Sequence, residues 1–387
     1  MYPTFSDLLY DLLGVHIPLP IQTFGLMMLV SFFLAWVVLS SELGRRQKLG
    51  VIPELKATEQ KGVQAPQWHY ALQGFIGFFV GGKLLEMVLH YSDLVQNPQA
   101  FILSWRLNAV GGVGGLAVAL WMHYREQSRI AKEPKQTVER ILPRQELAAT
   151  IILLGAAYGL LGAKLFHNLE NIDELVADPL GALFSFSGLT FYGGLILATF
   201  GIWLYARKRG LYFPWLMDST APALMLGYAS GRLGCQLAGD GDWGIVNTAP
   251  KPDWLSALPD WVWAYRYPHN VLSEGVPIEG CQGAHCFQLA QPVFPTPLYE
   301  CLMALAFFGL LWLLRTRIRP TLGLFFVYLL VNGIERFLIE LIRVNSTYNI
   351  FGGITQAQII STLFILIGSF GLVYVYKNPK RFGYAIP

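Results

Sequence analysis

Arg232 stands in a polar stretch of otherwise apolar sequence, and its type suggests that it binds an anion. The stretch reads GYASGRLGCQLAGDGDWG, residues 227–244. Gly227, Gly231 and Gly234 recur in it with helical spacing, which would let a second segment or a lipid approach the backbone closely. A planar guanidinium binds phosphate oxygens in pairs, so an arginine buried at the edge of a membrane suits a phosphate group.

Arg336 belongs to a second such stretch, GIERFLIELIR at 333–343. Arg336, Glu340 and Arg343 follow one another at i, i+4 and i+7, which places them on one face of a helix. The alternating charge predicts that Glu340 orients or neutralises a neighbouring arginine.

Two further segments carry polar groups into apolar surroundings. Glu300 ends the sequence FPTPLYE and is expected near the outer face of a membrane. Tyr192 precedes a glycine pair in the sequence SGLTFYGGLI. Both side chains are candidates to help move a proton or to position a substrate.

The elements that carry these residues are predicted to be membrane-spanning helices. Of the 387 residues, 54% are hydrophobic and only 14% are charged, whereas a soluble domain has roughly 25% charged residues. The apolar residues form blocks of about 20, the length with which a helix crosses a bilayer. Nine spans are predicted, at 20–41, 68–90, 107–123, 147–166, 187–206, 216–238, 296–314, 321–343 and 354–376. The expected fold is therefore an all-α polytopic membrane protein.

The lysines and arginines predict how this protein is oriented. They are abundant after the odd-numbered spans and in the C-terminal tail, and cytoplasmic loops carry such an excess. We therefore expect the N-terminus outside and the C-terminus in the cytoplasm. The chain then divides into an outer interfacial helix at 1–19, spans one to six at 20–238, an outer loop subdomain at 239–294, and the last three spans with a cytoplasmic tail at 295–387.

The hairpins at 68–123 and 147–206 form an internal repeat. Alignment of GGKLLEMVLHYSDLVQNP with GAKLFHNLENIDELVADP matches Lys83 with Lys164, and the glycine pair 114–115 is matched with 193–194. Each lysine either marks a functional path through the membrane or snorkels to its surface. Both copies start on the cytoplasmic side, so they are parallel, whereas many transporters contain inverted repeats.

The outer loop at 239–294 is predicted to form a small subdomain. Aromatic residues alternate at period two in WVWAYRY at 261–267, which predicts a strand, and a second strand could lie around 287–289. Cys281 and Cys286 are disulfide candidates because the loop lies outside the cytoplasm. A zinc site that includes His285 is the alternative, but it lacks enough ligands.

The stretch around Arg232, the sequence PTPLYE and the sequence RFLIELIR, in this order, resemble the prolipoprotein diacylglyceryl transferase family. The resemblance covers about 20–45 and 145–376. It implies a bacterial inner-membrane enzyme whose site opens to the periplasm. Its substrates would be phosphatidylglycerol and the lipobox cysteine of a prolipoprotein signal peptide, and glycerol-1-phosphate would be released. No metal or cofactor is expected.

The resemblance also assigns roles to individual residues. The family's two essential arginines correspond to Arg232 and Arg336, and its carboxylates to Glu300, Glu340 and Asp240. The residues expected to be catalytic are Arg232, Arg336, Glu300, Glu340 and Tyr192. The residues expected at the substrate are Gly193, Gly194, Gly231, Gly234, Cys235, Asp240, Gly244, Arg343 and Lys164.

The chain departs from the family at several positions. Tyr192 stands where the family has a histidine, Cys235 where it has an asparagine, and Lys164 where it has an arginine. Two spans are additional, and the outer loop is enlarged. Tyr192 is expected to position substrate, and His167 is an alternative base. A transporter for an anionic solute and a non-catalytic membrane scaffold are the competing hypotheses.

Overall fold

The computed structural model describes residues 1–15, 17–184, 190–344, 347–348 and 353–383, most of which form helices. The helices are α1 (Phe5–Leu13), α2 (Thr23–Lys48), α3 (Trp68–Leu89), α4 (Tyr91–Gln96), α5 (Pro98–Leu103), α6 (Ala109–Ile130), α7 (Arg144–Glu170), α8 (Ile172–Ala177), α9 (Pro179–Phe184), α10 (Phe191–Lys208), α11 (Phe213–Ala238), α12 (Thr296–Leu314), α13 (Gly323–Glu340), α14 (Gln356–Lys377) and α15 (Pro379–Phe382).

Each predicted span contains one long helix within the described ranges. Five of these helices are long and apolar enough to cross a membrane, namely α2, α3, α7, α12 and α14. The other four are α6, α10, α11 and α13. Helix α13, for example, carries Glu335, Arg336 and Glu340. The protein is therefore a mostly helical, multi-pass membrane protein.

One compact unit comprises Tyr2–Gly25 and Lys56–Ile141. Helix α1 lies in the segment where an interfacial helix was predicted. It is capped by Thr4, whose hydroxyl oxygen accepts from the backbone N–H of Asp7. The same unit contains a strand pair that the sequence did not predict, β1 (Lys56–Lys61) with β2 (Gln136–Ile141), antiparallel. Both strands are charged and largely exposed, so they lack the apolar alternation by which strands are recognised.

Helices α3 and α6 of this unit form the first hairpin and pack through glycines. A Cβ at Gly81 would lie 2.4 Å from the carbonyl oxygen of Gly111 and 2.6 Å from the Cα of Gly115. A Cβ at Gly114 would meet no atom within 4 Å. Gly111 and Gly115 therefore form the contact of the helix pair, whereas Gly114 points away from it.

Helices α7 and α10 form the second hairpin. Their contacts show that the predicted match of the glycine pair 114–115 with 193–194 is wrong. A Cβ at Gly162 would lie 2.3 Å from the carbonyl oxygen of Gly193. Gly193 thus corresponds to Gly111 of the first hairpin, three residues before the predicted match at Gly114. Sequence identity alone could not choose between the glycine pairs 111–112 and 114–115.

The second compact unit comprises Met1, Leu26–Leu55 and Leu142–Pro387. Its apolar core lies between α11, α12 and α13 and includes Ala221, Met225, Ala229, Ala304, Leu311, Leu324 and Val331. Helix α14 packs against α13 through Gly333, where a Cβ would lie 2.8 Å from the carbonyl oxygen of Ser361. Small residues at these crossings bring the helix backbones close together.

A buried carboxylate fixes the start of α13 against α11. Asp218 accepts hydrogen bonds from the backbone N–H groups of Leu322 and Phe325, at 2.8 and 2.9 Å. Arg46 of α2 lies 3.6 Å from the same carboxylate. Because Asp218 and Arg232 are fourteen residues apart on α11, this anchor lies about 21 Å from the arginine. It positions the helix that carries Arg336.

The loop between α11 and α12 contains little regular structure. The predicted strand at 261–267 is wrong: Asp260–Val262 forms a 3-10 helix, and Tyr265 makes only an isolated bridge to Val293. The rings of Tyr265 and Tyr267 instead contact each other, with centroids 4.8 Å apart and planes tilted by 56°. The described strands in this loop are β3 (Val276–Pro277) and β4 (Phe287–Gln288), which pair antiparallel.

Cys281 and Cys286 of this loop form the predicted disulfide. Both sulfurs are consumed by that bond, so the alternative zinc site has lost its cysteine ligands. A last strand pair, β5 (Thr347–Tyr348) with β6 (Ile354–Thr355), precedes α14. The predicted segments 1–19, 20–238, 239–294 and 295–387 do not coincide with the two compact units, and as functional divisions they stay predictions.

Candidate active site

Arg232 lies near the end of α11, which terminates at Gly239 with a φ of 65°. Its helix lies beside α2, where the Ser230 hydroxyl donates to the Ser31 oxygen at 2.8 Å. A Cβ at Gly231 would come within 4.0 Å of Ser31, so this glycine faces α2. Gly234 is also buried in α11. The contacts of both glycines with a substrate stay predictions.

Glu300 is the centre of the site. It lies one turn into α12, and its side chain is fully buried. Its carboxylate contacts three guanidinium groups: the Nε of Arg232 at 2.5 Å, the Nη1 of Arg343 at 3.1 Å and the Nη1 of Arg336 at 3.4 Å. The structure thus brings together three arginines and a carboxylate that the sequence placed on three separate helices.

Asp242 is the second carboxylate of the site, although the sequence analysis had chosen Asp240. The carboxylate of Asp242 forms ion pairs with both Arg232 and Arg343. The threonine at the start of α12 helps to hold this turn, because the Thr296 hydroxyl donates to the carbonyl oxygen of Asp242 at 2.7 Å. The carboxylate of Asp240 instead accepts from the backbone N–H of Asp242 at 3.4 Å and forms a hydrogen bond with Cys235.

The electrostatic states of the two aspartates differ. Burial raises the pKa of Asp240 above its ordinary value, and hydrogen bonds and Arg232 offset this only in part. Burial also acts on Asp242, but Arg232 and Arg343 outweigh it and hold the pKa of Asp242 below its ordinary value. Asp242 is therefore the aspartate that stays ionised beside the arginines.

The predicted single helical face of Arg336, Glu340 and Arg343 is only partly correct. The Nη2 of Arg336 lies 3.1 Å from Glu340, one turn further along α13. The helix ends at Glu340, so Arg343 lies in the turn beyond it. A backbone bridge between Arg343 and Gly244 holds this turn against the loop after α11.

Gly244 has a packing reason to be glycine. A Cβ there would lie 2.5 Å from the carbonyl oxygen of Ile342 and 2.9 Å from the side chains of Phe294 and Thr296. The missing side chain lets the loop cross the end of α13 beside Arg343. A direct contact between Gly244 and substrate stays a prediction.

Tyr192 lies in the first turn of α10 and is within electrostatic range of Arg336 and Glu340. The glycines after it contact α7: a Cβ at Gly193 would lie 2.4 Å from the Cβ of Phe166, and one at Gly194 would lie 2.9 Å from the carbonyl oxygen of Gly159. The pair therefore closes the hairpin and sets Tyr192 at its end. The segment 185–189 before it lies outside the described residues.

Three further candidates from the sequence lie outside the arginine–carboxylate ion pairs described above. Cys235 is 7% exposed, and its sulfur is 3.9 Å from the Nη1 of Arg232. Lys164 is partly buried on α7, and its part in substrate binding stays a prediction. His167, the alternative base, lies in the last turn of α7, where the Asn171 amide nitrogen is 3.2 Å from its Nδ1.

Two residues near the site were missed by the sequence analysis. The ring of Tyr228 lies 5.2 Å from the Cζ of Arg232, one turn before it on α11. The Tyr228 hydroxyl donates to the carboxylate of Glu335 at 3.1 Å. The i, i+4 spacing of Tyr228 and Arg232 was a signal for the tyrosine, whereas no spacing pointed to Glu335.

The cluster of Cys235, Asp240 and Asp242 could bring three ligand atoms within 4.8 Å of one another. Asp242, however, is already paired with Arg232 and Arg343. Two guanidinium charges beside the cluster also repel a cation. We therefore assign no metal to these side chains.

The long apolar helices and the buried arginine–carboxylate cluster define a helical membrane protein with a site suited to an anion. The arginine side chains are 11–23% exposed, so a ligand can reach them. Arg232, Arg336 and Arg343 face Glu300, Asp242 and Glu340, so the charges are balanced when all six groups are ionised. The cluster thus has no excess positive charge for a phosphate to neutralise. An entering phosphate would therefore have to take the place of one carboxylate.

Comparisons with known proteins identify the family. The family described as prolipoprotein diacylglyceryl transferase matches residues 127–374, more than half of the chain. The chain belongs to this family and is a transferase. The match includes α7 and α10–α13 and excludes α3 and all but the end of α6, within which it begins.

Individual relatives agree with this assignment. The chain is 29% identical to a phosphatidylglycerol–prolipoprotein diacylglyceryl transferase of Pseudomonas paraeruginosa over 273 residues, which cover 69% of this chain and 86% of that protein. It is 27% identical to a protein of the same name from Dehalococcoides mccartyi over 296 residues, 75% of this chain and 97% of that one. A third, from Leptospira interrogans, is 27% identical over 285 residues, 61% of this chain and 81% of that one.

Proposed function

We propose that this transferase moves the diacylglyceryl group of phosphatidylglycerol to the lipobox cysteine of a prolipoprotein and releases glycerol-1-phosphate. We also propose that the arginine cluster around Glu300 holds the phosphate during this reaction. The observation that carries the proposal is the convergence of Arg232, Arg336 and Arg343 on one buried carboxylate. The names of the relatives supply the two substrates.

In this reaction the cysteine sulfur, as a thiolate, attacks the glyceryl carbon that bears the phosphate oxygen. A sulfur–carbon bond forms and the carbon–oxygen bond breaks. The leaving oxygen keeps the electron pair, so glycerol-1-phosphate departs with one more negative charge than the diester carried. Guanidinium groups fixed in place before the reaction stabilise that charge, at roughly 2.7–4 kcal/mol for each good donor.

Asp242 is the carboxylate that the phosphate would replace. It is 32% exposed, whereas Glu300 and Glu340 are buried. It pairs with Arg232 and Arg343, so phosphate oxygens could take over its two contacts. Glu300 would remain in place and keep the guanidinium planes oriented, and Glu340 would do the same for Arg336.

The remaining assignments concern the membrane. We propose nine membrane spans, with the N-terminus outside, the C-terminus in the cytoplasm and the site facing the periplasm in a bacterial inner membrane. The positive charge near the ends of several helices supports this orientation, for example Arg45, Arg46 and Lys48 in the last turn of α2. The end of α11 that carries Arg232 would then lie near the outer surface.

A transfer assay tests the proposal against its alternatives. The purified protein is incubated with phosphatidylglycerol vesicles and a peptide that carries a lipobox cysteine, and the peptide mass is then measured. We expect the mass of one diacylglyceryl group on the cysteine and release of glycerol-1-phosphate. An unmodified peptide would contradict the proposal and favour a scaffold, and phosphate-linked uptake into the vesicles would favour an anion transporter.

A further inference from the structure

Glu335 is a buried carboxylate that the proposed phosphate site does not use. It lies next to Arg336 in sequence but points between α13 and α11, and it is 1% exposed. Its Oε1 accepts the hydroxyl hydrogen of Tyr228 at 3.1 Å, and its buried Oε2 has no hydrogen-bond partner among the residues that the structure describes. Ionisable groups inside a membrane are expensive, and they commonly mark proton or substrate paths.

The other buried carboxylates of this region are bound by arginines. Glu300 contacts three guanidinium groups, and Glu340 contacts Arg336. A carboxylate held by guanidinium groups is a weak base because accepting a proton would break its ion pairs. Glu335 is instead held by a neutral hydroxyl, so it can accept a proton without breaking an ion pair.

Tyr228 connects this carboxylate to the phosphate site. Its hydroxyl binds Glu335, and its ring lies beneath the guanidinium group of Arg232. The side chain is partly exposed, so a substrate group near Arg232 can approach it. Burial and the carboxylates of Glu300 and Glu335 oppose a negative charge on the Tyr228 oxygen, and Arg232 offsets only part of that cost, so the hydroxyl would have to gain one proton as it gives up another.

We propose that Tyr228 and Glu335 form the proton relay that activates the substrate thiol. This inference rests on the proposed transferase reaction. As the sulfur approaches the glyceryl carbon, the thiol proton passes to the Tyr228 oxygen while the Tyr228 proton passes to Glu335. The thiolate electrons form the sulfur–carbon bond, and the carbon–oxygen electrons leave with glycerol-1-phosphate. Glu335 then returns its proton to the released phosphate monoester, whose second pKa is about 6.

The charged and titratable neighbours of Glu335 come from three helices. Tyr228 and Arg232 face it from α11, Glu300 from α12, and Tyr328 and Arg336 from its own helix. At Gly333 the facing groups of α14 are Ser361 and Ile365, which do not titrate. Neither of these α14 groups can replace Glu335 as the proton acceptor. Protonation of Glu335 in acid is therefore expected to stop the relay.

The test uses Glu335→Gln and Tyr228→Phe in the transfer assay. Glutamine retains the hydrogen-bond acceptor but cannot act as a base, and phenylalanine keeps the ring under Arg232 but loses the hydroxyl. We expect each variant to lower kcat about a hundredfold, as general-base loss does, with the KM for phosphatidylglycerol changed less than threefold. The decline of kcat towards acid pH should disappear in Glu335→Gln.

A selenocysteine peptide separates a relay from a structural role. A selenol is already ionised near neutral pH, so it needs no base. We expect both variants to recover to within about tenfold of the parent with this peptide. Tyr328→Phe, which removes a buried hydroxyl from the same helix, should leave the pH profile and the rate within a few-fold of the parent.

Two results would overturn the relay while the parent remains active. One is a Glu335→Gln enzyme that keeps the acid decline of kcat, and the other is an equal loss with thiol and selenol peptides. A parent that transfers nothing contradicts the transferase proposal itself, and the relay falls with it.

Discussion

At the scale of single residues, the turn after α11 decides which aspartate pairs with the arginines. The sequence offers Asp240 and Asp242 two positions apart, and their types are identical. Gly239 and Gly241 have φ angles of 65° and 96°, and this left-handed backbone directs Asp242 towards Arg232. Residue type and family resemblance were therefore sufficient to predict the arginines, but not the aspartate that pairs with them.

The two aspartates give a matched pair of variants with opposite expected effects. Because the pKa of Asp242 is lowered by folding, its ionised form stabilises the protein above the ordinary aspartate pKa, about 3.9. Asp242→Asn should therefore lower the midpoint of thermal unfolding at pH 7. That deficit should shrink as the pH falls through the folded pKa of Asp242.

Asp240 has the reverse sign, since its pKa is raised by folding and ionisation costs stability above pH 3.9 or so. Asp240→Asn should raise the unfolding midpoint at pH 7, and the gain should vanish in acid, where both states are protonated. Unfolding followed by intrinsic fluorescence in detergent at pH 7 and pH 4 measures both variants. Shifts in the same direction at pH 7 would refute the assignment.

Arg343 also differs from its sequence-based interpretation. Its spacing from Arg336 predicts that it lies nearest the outer surface, where a lysine in its place could be solvated by water. In the structure its side chain is 11% exposed, less than the 17% of Arg232 and the 23% of Arg336. The loop crossing at Gly244 covers it, and no local sequence pattern records such a long-range crossing.

At the scale of elements, hydropathy located the long helices of the described residues, because apolar length and composition are local properties of a sequence. It did not locate β1 and β2, whose charged strands pair through backbone groups and through the ion pairs Lys56–Glu139 and Arg140–Glu59. It also did not give the register of the duplicated hairpin. That register depends on which glycine face meets the partner helix.

A pair of glycine variants tests this register. Gly111→Ala would place a Cβ 2.5 Å from the carbonyl oxygen of Gly81, so α3 and α6 would have to separate. We expect a loss of about 1–3 kcal/mol from this overpacking. Gly114→Ala meets open space and should be neutral. Thermal unfolding of both variants decides the matter, and a larger loss at Gly114 would restore the sequence-based register.

At the scale of the whole molecule, orientation in the membrane determines which leaflet supplies the lipid. Trp254 is 79% exposed in the loop before α12, and Lys135 is exposed just before β2. A membrane-impermeant thiol reagent should label Trp254→Cys in intact cells and spare Lys135→Cys until the cells are opened. The free native cysteines, Cys235 and Cys301, are buried and give little background. The reverse labelling pattern would place the site in the cytoplasmic leaflet.

The family resemblance covers the part of the chain that carries the site, whereas α3 and most of α6 lie outside the family match. The sequence could therefore predict the chemistry of the second compact unit in some detail. For the first unit it could predict helices, because apolar length is a local property. The function of a helical hairpin depends on what it contacts, and such contacts are not a local property of the sequence.

The central claim is that the arginine cluster holds the phosphate of the lipid donor, and one kinetic comparison tests it most directly. Arg232→Lys and Arg336→Lys keep the charge but lose the paired donors of the guanidinium group. Each is compared with the parent and with Arg209→Lys, an exposed arginine at the end of α10, by measuring transfer from phosphatidylglycerol to the lipobox peptide. The account predicts a loss of at least about a hundredfold in each cluster variant and parental rates for Arg209→Lys. Near-parental rates in both cluster variants would contradict it.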